Sequence, residues 1–212
     1  MTGRGRFITL EGGEGTGKST NIGFVAGLLR DAGVDVLVTR EPGGTPLAER
    51  IREILVSHAE EALPPVAELL LVFAARAVHV ENLIRPALAA GRWVLCDRFT
   101  DATFAYQGGG RGIDDGVIAN LETQVQRGLA PDLTLLLDAD PAVGMARAEA
   151  RGAADRFEAE RLDFFRRVRE AYLARAVAEP ARFRVVDATR PLEQVRDDLS
   201  VHVKEFLQEY VK

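Results

Sequence analysis

The sequence is poor in cysteine, in long apolar runs and in excess positive charge, and each shortage excludes a class of protein. The 212 residues include one cysteine, Cys96, so no disulfide can form within the chain. Such sparse cysteine is typical of a reducing compartment. No run approaches the roughly 18 apolar residues of a membrane-spanning helix, and residues 1–6 lack the apolar segment of a secretory signal. We therefore expect a cytoplasmic protein with no membrane partner.

Positive charge is also scarce. The 27 Lys and Arg residues are outnumbered by 32 Asp and Glu residues, which gives a formal net charge of −5. Proteins that bind nucleic acid non-specifically usually carry a basic surplus, so no nucleic-acid partner is expected. The 47% hydrophobic and 28% charged residues are ordinary for a globular protein. The length favours one α/β domain over residues 1–212.

Short apolar runs alternate with longer segments of helical periodicity along the chain. The predicted strands are Arg6–Glu11, Asp35–Thr39, Trp93–Asp97, Leu133–Asp138 and Arg184–Asp187. The predicted helices are 18–31, 46–57, 65–90, 114–128, 141–151, 160–178 and 191–210. Strands that are apolar on both faces and alternate with helices predict an α/β fold, with a doubly wound, five-stranded parallel sheet flanked by helices. Ligands of such folds bind beyond the carboxyl ends of the strands.

The segment after the first predicted strand has the pattern of a phosphate-binding loop. Residues 12–19 read GGEGTGKS, which matches G-x-x-x-x-G-K-[ST] between a strand and a helix. Glycines let consecutive backbone amides curl around an anion at a helix N-terminus. Lys18 would lie near the β- and γ-phosphates of a nucleoside triphosphate, and the Ser19 hydroxyl would coordinate Mg²⁺. The residues predicted to bind ATP in this loop are Gly12, Gly13, Glu14, Gly15, Thr16, Gly17, Lys18, Ser19 and Thr20.

Charged residues stand at or directly after the ends of two other predicted strands, Trp93–Asp97 and Asp35–Thr39. Asp97 stands where P-loop enzymes place a carboxylate that serves Mg²⁺, although an aspartate there could also be a helix N-cap. Arg40 and Arg98 follow neighbouring strands, and we expect them to converge on a phosphate monoester, which the arginine fork binds with two hydrogen bonds. A solvated surface position is the alternative for each arginine. A triphosphate site that faces a monophosphate site predicts a nucleoside monophosphate kinase.

Five motifs together resemble bacterial thymidylate kinase. They read FITLEGGEGTGKST (7–20), TREPGGT (39–45), FAAR (73–76), DRF (97–99) and AYQGGGRG (105–112). The resemblance extends from Phe7 to about Leu207. It implies a P-loop kinase fold with a short lid at about 147–158, and transfer of the γ-phosphoryl group of ATP to dTMP with Mg²⁺. It also implies a homodimer.

The resemblance assigns the dTMP-binding residues. It implies that Phe73 stacks on thymine, while Arg76 on the same helix face donates to the thymine O4. From the apolar face of that helix alone, core packing is the alternative for Phe73. Thr103, Tyr106 and Gln107 would contact the base and the sugar, with Tyr106 placed where a ribose 2′-hydroxyl would clash.

Glu14 is unusual in a phosphate-binding loop, because a triphosphate would repel its carboxylate. The resemblance implies that Glu14 instead reaches the 3′-hydroxyl of the acceptor sugar. A solvent-facing side chain without a role is the alternative. The variable positions of the loop (Gly13, Glu14, Gly15 and Thr16) include no basic residue, so the loop offers only Lys18 as a side-chain cation for the transferring phosphoryl group.

The lid is predicted to supply the missing positive charge, which phosphoryl transfer requires. Arg147 and Arg151 are four residues apart and share a helix face, and Arg156 follows a hinge of small residues. The resemblance matches Arg151 to a catalytic lid arginine, with Arg147 and Arg156 as ATP-binding residues. An amphipathic helix with a solvated charged face is the alternative. The predicted catalytic residues are thus Lys18, Asp97, Arg98 and Arg151.

Two other functions fit parts of this pattern. A kinase for another deoxynucleotide or for a deoxynucleoside is the nearest. A deoxynucleoside kinase would need a base near Asp97 and would leave Arg40 and Arg98 without a shared phosphate. A non-catalytic nucleotide-binding switch would also use a phosphate loop, although the guanine-reading pattern N-K-x-D is absent. No role is predicted for the three histidines.

Overall fold

Five parallel strands form one sheet in the order β2-β3-β1-β4-β5. The computed structural model describes residues 4–57, 61–149, 156–157 and 160–210. The strands are β1 (Phe7–Gly12), β2 (Val36–Arg40), β3 (Trp93–Asp97), β4 (Leu133–Asp138) and β5 (Phe183–Asp187). The predicted doubly wound parallel sheet is confirmed, and β3 and β4 have the bounds that the apolar runs predict.

Helices lie between the strands and cover both faces of the sheet. They are α1 (Lys18–Asp31), α2 (Pro46–Val56), α3 (Pro65–His79), α4 (Arg85–Ala89), α5 (Thr100–Thr103), α6 (Asp115–Gln126), α7 (Pro141–Glu149), α8 (Leu162–Ala178) and α9 (Leu192–Tyr210). A π-helical segment, Phe104–Gly110, continues α5. Within the described ranges, no helix is both long enough and apolar enough to cross a membrane.

The prediction of one regular helix over 65–90 is wrong in its middle. A π-helical turn, Val80–Ile84, separates α3 from α4. Pro86 stands in the first turn of α4. Because proline has no amide hydrogen and its ring crowds the carbonyl one turn earlier, a regular α-helix cannot continue through it.

The alternation of side chains along β1 decides which of them can reach the active site. Ile8 and Leu10 face a core that α1 and α9 complete. Phe7 faces the opposite side, where its ring packs edge-on against Phe99 with the centroids 4.9 Å apart. Since successive residues of a strand face opposite sides, Glu11 shares the face of Phe7.

The strand register brings the carboxyl ends of the central strands together. Leu10 of β1 lies opposite Asp97 of β3, and Asp97 lies opposite Arg40 of β2. The phosphate-binding loop begins at Gly12, directly beside this edge of the sheet. The residues that follow β1, β2 and β3 therefore begin at the same edge of the sheet.

Candidate active site

A cavity of about 250 Å³ opens at the carboxyl ends of β1 and β3. Its wall is formed by the phosphate-binding loop, the end of β3, α3 and the helical segment that begins with α5. The predicted site residues that line it are Glu14, Gly15, Gly17, Lys18, Ser19, Arg76, Asp97, Arg98, Thr103, Tyr106 and Gln107. Glu41 and Pro42 of the TREPGGT turn line it as well, so the structure brings together residues from all five sequence motifs.

The phosphate-binding loop wraps around the Lys18 ammonium. Lys18 Nζ donates to the carbonyl oxygens of Gly12 and Gly13 at 3.0 and 2.7 Å. Gly15 has a φ of 67°, and a Cβ atom there would collide with the Gly144 carbonyl. Only glycine adopts such a backbone without strain, so this position of the motif is fixed by both conformation and space. α1 begins at Lys18, and its first amides point into the loop.

The electrostatics of the loop favour an anion. Burial lowers the pKa of Lys18 to about 8, and the positive charge of Arg98 acts in the same direction. The carboxylates of Glu14 and Asp97 oppose this shift. A bound polyphosphate would add negative charge beside the ammonium and stabilise its protonated form.

Arg98 and Glu14 form the centre of a hydrogen-bonded cluster. Arg98 Nη2 donates to Glu14 Oε1 at 2.6 Å, and the Tyr106 hydroxyl donates to the same oxygen at 2.8 Å. Arg98 has a φ of 68°, and Arg127 is the other described non-glycine residue with a positive φ. Such a backbone is rare outside glycine and often marks a functional site. Glu14 is turned toward the cluster, which favours the acceptor role over a solvent-facing one.

Asp97 and Ser19 present oxygen ligands to the same cavity. The Oδ1 atom of Asp97 is buried and has no hydrogen-bond partner in the described part of the chain. Mg²⁺ prefers such oxygen ligands and is commonly held by one or two protein groups together with substrate phosphates. Among the described residues, no cluster of three His, Cys, Asp or Glu side chains could hold a metal alone. The residues present therefore fit a metal ion that arrives with a polyphosphate.

Arg98 lines the cavity and Arg40 does not, which argues against the predicted arginine pair. Its side chain is 55% exposed and forms an ion pair of 2.9 Å with Glu49. Arg52 of α2 lines the cavity instead and donates to the Pro42 carbonyl oxygen at 2.9 Å. β2 is an edge strand, so a neighbouring helix can capture the side chain at its end.

A helical periodicity over 46–57 contained the signal for Arg52. Because α2 follows the carboxyl end of β2 after a short turn, its first turns lie beside the cavity. Arg52 lies three residues after Glu49, on a neighbouring part of that helix surface. Glu49 itself reaches back to the loop, where Oε1 accepts a hydrogen bond of 2.8 Å from the Gly44 amide.

Phe73 belongs to the core, which corrects the predicted stacking on a base. Its side chain is 3% exposed and packs with Leu69, Phe104 and Ile118. Val72, the preceding residue, lines the cavity, and Phe73 does not. The core-packing alternative for Phe73 is therefore the one that the structure favours, because α6 and the segment after α5 enclose its ring.

Arg76 is almost fully buried, with 2% of its side chain exposed. Its Nε donates to Glu41 Oε2 at 2.7 Å. Its Nη2 donates to Thr103 Oγ1 at 2.9 Å and to the Phe99 carbonyl oxygen at 3.2 Å. The remaining nitrogen, Nη1, is buried without a partner among the described residues. A buried donor without an acceptor is costly, so a ligand acceptor that reached this nitrogen would remove that cost.

Of the three predicted lid arginines, Arg147 lies beside the phosphate-binding loop. Its Nη1 donates to the Ala188 carbonyl oxygen at 2.8 Å. It lines a second cavity of about 280 Å³ together with Thr16 and Thr20. Arg151 lies outside the described residues.

Arg156 contacts α2 and α3, which argues against its predicted contact with ATP. Its Nη2 forms an ion pair of 2.7 Å with Glu68, and its Nε donates to the Leu55 carbonyl oxygen at 2.8 Å. Glu68 is fully buried in α3 and also accepts from Gln107 Nε2 at 2.8 Å. The Glu68 carboxylate therefore binds both Arg156 and Gln107, and Gln107 lines the cavity.

Two buried polar residues that support Arg98 were not predicted. The Tyr172 hydroxyl donates to Glu11 Oε2 at 2.8 Å and accepts from Arg98 Nη1 at 3.3 Å. Burial, together with the charge of Asp101, raises the pKa of Glu11 to about 7. A glutamate in an otherwise apolar strand was the available signal for Glu11. Nothing local to α8 distinguishes Tyr172 from a core residue.

Comparison with known proteins identifies one family. The sequence profile described as thymidylate kinase matches residues 10–199. The thymidylate kinase of Chromohalobacter salexigens is 61% identical over 205 residues, which cover 96% of this chain and 97% of that protein. The thymidylate kinase of Teredinibacter turnerae is 56% identical over 203 residues, with coverages of 96% and 99%.

A solved structure agrees with the sequence comparisons. The crystal structure of thymidylate kinase from Ehrlichia chaffeensis superimposes with a TM-score of 0.74 at 33% identity. The match covers 97% of this chain and 99% of the other. Both the sequence and the fold therefore agree over nearly the whole length, and the chain belongs to the thymidylate kinase family.

Proposed function

We propose that the chain transfers the γ-phosphoryl group of ATP to dTMP, giving ADP and dTDP for dTTP synthesis, in the cavity described above. Membership of the thymidylate kinase family gives the reaction. One observation carries the assignment of residues to roles. The phosphate-binding loop and the Arg98–Glu14–Tyr106 cluster line the same cavity, so a donor and an acceptor phosphate can face each other.

The donor end is the phosphate-binding loop. We assign the β- and γ-phosphates of ATP to the loop amides and to Lys18, whose ammonium exchanges the loop carbonyls for phosphate oxygens. Ser19 and Asp97 would hold Mg²⁺, which neutralises phosphate charge when bound. Thr20 and Arg147 border the second cavity on the same loop, which suits the remainder of ATP.

The acceptor end is assigned to Arg98 and Arg52. Both line the cavity, and two guanidinium groups suit the dianionic phosphate of dTMP. Arg52 takes the place that the sequence pattern predicted for Arg40. Glu14 Oε1, which accepts from Arg98 and Tyr106, would then accept from the 3′-hydroxyl of the sugar.

The base is assigned to the side of the cavity that contains Arg76. Its unpartnered Nη1 would donate to the thymine O4. Cytosine carries an amine at that position, so a donor would face a donor at a cost of about 1–3 kcal/mol. Thr103 and Gln107 line the same wall, and Val72 provides its apolar part.

The catalytic role of Arg151 stays a prediction from sequence, since the residue is outside the described ranges. A lid arginine of this kind contributes about 10³–10⁵ to the rate of phosphoryl transfer. Arg151→Ala should therefore lower kcat much more than it weakens dTMP binding. A defect confined to binding would contradict the assignment.

A coupled assay of ADP release tests the proposed reaction against its alternatives. The acceptors are dTMP, dUMP, dCMP, dGMP and thymidine, each with Mg²⁺ and ATP. We expect dTMP to give the highest kcat/KM. Preferred turnover of thymidine would instead indicate a deoxynucleoside kinase. No increase over the rate with ATP alone would indicate a nucleotide-binding switch.

We also propose that the chain forms a homodimer through α3 and α6. These helices pack against each other and expose three apolar side chains. Val66 and Leu70 of α3 are 58% and 53% exposed, and Val117 of α6 is 46% exposed. A neighbouring set of exposed apolar residues is typical of a protein–protein interface.

A further inference from the structure

We propose that Glu41 and His79 are positioning residues for base recognition, because together they hold the Arg76 guanidinium in one orientation at the wall of the cavity. This inference rests on the proposed contact between Arg76 and the thymine O4. It gives a role to the TREPGGT turn (39–45), whose arginine lies on the surface. It also gives a role to a histidine that the sequence left unassigned.

Glu41 joins the arginine to the histidine. Its two carboxylate oxygens have separate partners: Oε2 accepts from Arg76 Nε at 2.7 Å, and Oε1 lies 2.9 Å from His79 Nδ1. All three side chains are at least 97% buried, with 2%, 3% and 0% exposed for Arg76, Glu41 and His79. The Glu41 carboxylate is therefore held by two donors, and a movement toward one of them would break its hydrogen bond with the other.

The Glu41 carboxylate is charged in this environment. Burial alone would raise its pKa, but the Arg76 guanidinium and the hydrogen bond with His79 outweigh burial and hold the pKa below its usual value. An ionised carboxylate is only an acceptor, so His79 Nδ1 carries the hydrogen. The bond from Arg76 is charge-assisted on both sides, which makes it short and strongly directional.

The far side of the His79 ring is fixed by the same turn. His79 Nε2 lies 2.8 Å from Thr39 Oγ1. Gly44 has a φ of 86°, and a Cβ atom there would overlap both the ring and Thr39. The turn therefore closes on the ring from two directions, and the imidazole cannot swing away from Glu41.

The consequence for Arg76 is a single orientation. Glu41 fixes Nε, while Thr103 and the Phe99 carbonyl fix Nη2. Nη1 is then the one guanidinium nitrogen without a partner among the described residues. Without Glu41 the guanidinium could rotate about its long side chain, and a contact with the base would lose its alignment.

The test compares dTMP with an analogue that lacks O4, the 2′-deoxynucleotide of 5-methyl-2-pyrimidinone. A positioning role that acts through Arg76 affects only the substrate with O4. General damage to the site affects both substrates. The variants are Glu41→Gln, His79→Leu and His79→Asn. The control is Glu81→Gln, which removes a negative charge two residues after His79. The Glu81 carboxylate is 48% exposed and pairs with Arg85.

We expect Glu41→Gln and His79→Leu to raise the KM for dTMP by about tenfold or more, the loss of one well-aligned charge-assisted hydrogen bond. The KM for ATP, and the kcat and KM for the analogue, should stay within about twofold of the wild-type values. His79→Asn should retain most of the affinity for dTMP, because its amide nitrogen can replace Nδ1 as the donor to Glu41. Glu81→Gln should match the wild type.

Equal losses with dTMP and with the analogue would overturn the proposal, and so would a wild-type KM for dTMP in Glu41→Gln and His79→Leu. Arg76→Lys separates this inference from the function on which it rests. If Arg76→Lys does not impair dTMP more than the analogue, the assigned role of Arg76 fails. If it does and Glu41→Gln does not, only the positioning role fails. Thermal melting shows whether Glu41→Gln is folded; if it is not, the two His79 variants decide by the same criteria.

Discussion

At the residue scale, the charge of Lys18 should depend on whether ATP is bound. Its pKa of about 8 leaves about half of the side chains neutral at pH 8. Phosphates favour the charged form, so ATP binding should take up about half a proton at pH 8 and about a tenth at pH 7. Calorimetric titration with MgATP in buffers of different ionisation enthalpy measures this uptake. An uptake that does not change with pH would contradict the assignment of Lys18 to the phosphates.

Glu11 should make the stability of the chain depend on pH. Its pKa is about 7 in the folded chain and 4.5 in the unfolded one. Between these values the folded state binds the proton more tightly, so the free energy of unfolding falls as pH rises toward 7. Glu11→Gln removes the charge and keeps the shape. Relative to wild type, the variant should gain about 2 kcal/mol between pH 5 and pH 8.

Urea unfolding of the wild type and of Glu11→Gln at both pH values measures this difference. Tyr172→Phe is the comparison variant: it leaves the carboxylate in place and removes a hydrogen bond that lowers the pKa of Glu11, so its loss of stability with rising pH should be at least that of the wild type. A constant difference between wild type and Glu11→Gln at the two pH values would show that Glu11 does not titrate with a raised pKa.

Position at a strand end predicted some of the site residues and misled for others. Lys18 and Asp97 line the cavity. The phosphate-binding loop fixes the position of Lys18, and the central strand β3 fixes that of Asp97. Arg40 has the same kind of position in sequence, but an edge strand lets Glu49 compete for it. Phe73 and Arg76 share a helix, and only tertiary packing decides which of them reaches the cavity.

At the element scale, the glycines of the AYQGGGRG motif (105–112) let the π-helical segment pack closely on α8. A Cβ atom on Gly110 would approach the Phe164 ring to about 2.5 Å, and one on Gly109 would lie 2.8 Å from the Arg167 carbonyl oxygen. We expect Gly110→Ala to lower the free energy of unfolding by about 1–3 kcal/mol through overpacking. Tyr106 stands on the same segment, so the KM for dTMP should also rise.

Gly23→Ala is the matched control for this prediction. Gly23 lies inside α1, and a Cβ atom there would meet nothing within 4 Å. The substitution should raise the free energy of unfolding by about 0.5–1 kcal/mol, because alanine loses less backbone entropy in a helix. Chemical denaturation of both variants gives the two values. Similar effects of the two substitutions would contradict the close-packing explanation.

Most elements could be predicted because each strand is an apolar run between polar turns. The bounds of β1 and β2 differ from the prediction by one residue. The π-helical turn at Val80–Ile84 was missed because apolar residues continue across it and hide the break. The position of Thr103, at the end of the short helix α5, depends on contacts with residues that are distant in sequence, such as Arg76.

At the scale of the whole molecule, the exposed apolar residues of α3 and α6 predict the assembly. Leu70→Glu places a charge in the proposed interface and should convert a dimer into a monomer. Val177→Glu is the control, since Val177 of α8 is 80% exposed and lies on another helix. Light scattering coupled to size exclusion measures the masses. A monomeric wild type, or a dimeric Leu70→Glu, would contradict the proposed interface.

The 2.6 Å ion pair between Arg98 and Glu14 makes binding of the acceptor an exchange reaction. Each group is assigned to a different part of dTMP, and each is also the other's partner before dTMP arrives. On these proposed roles, the phosphate would compete with Glu14 for Arg98, and the Glu14 oxygen would then be left for the sugar. Phosphate and 3′-hydroxyl should therefore be recognised as one unit, so that the loss of both weakens binding by less than the sum of the two separate losses.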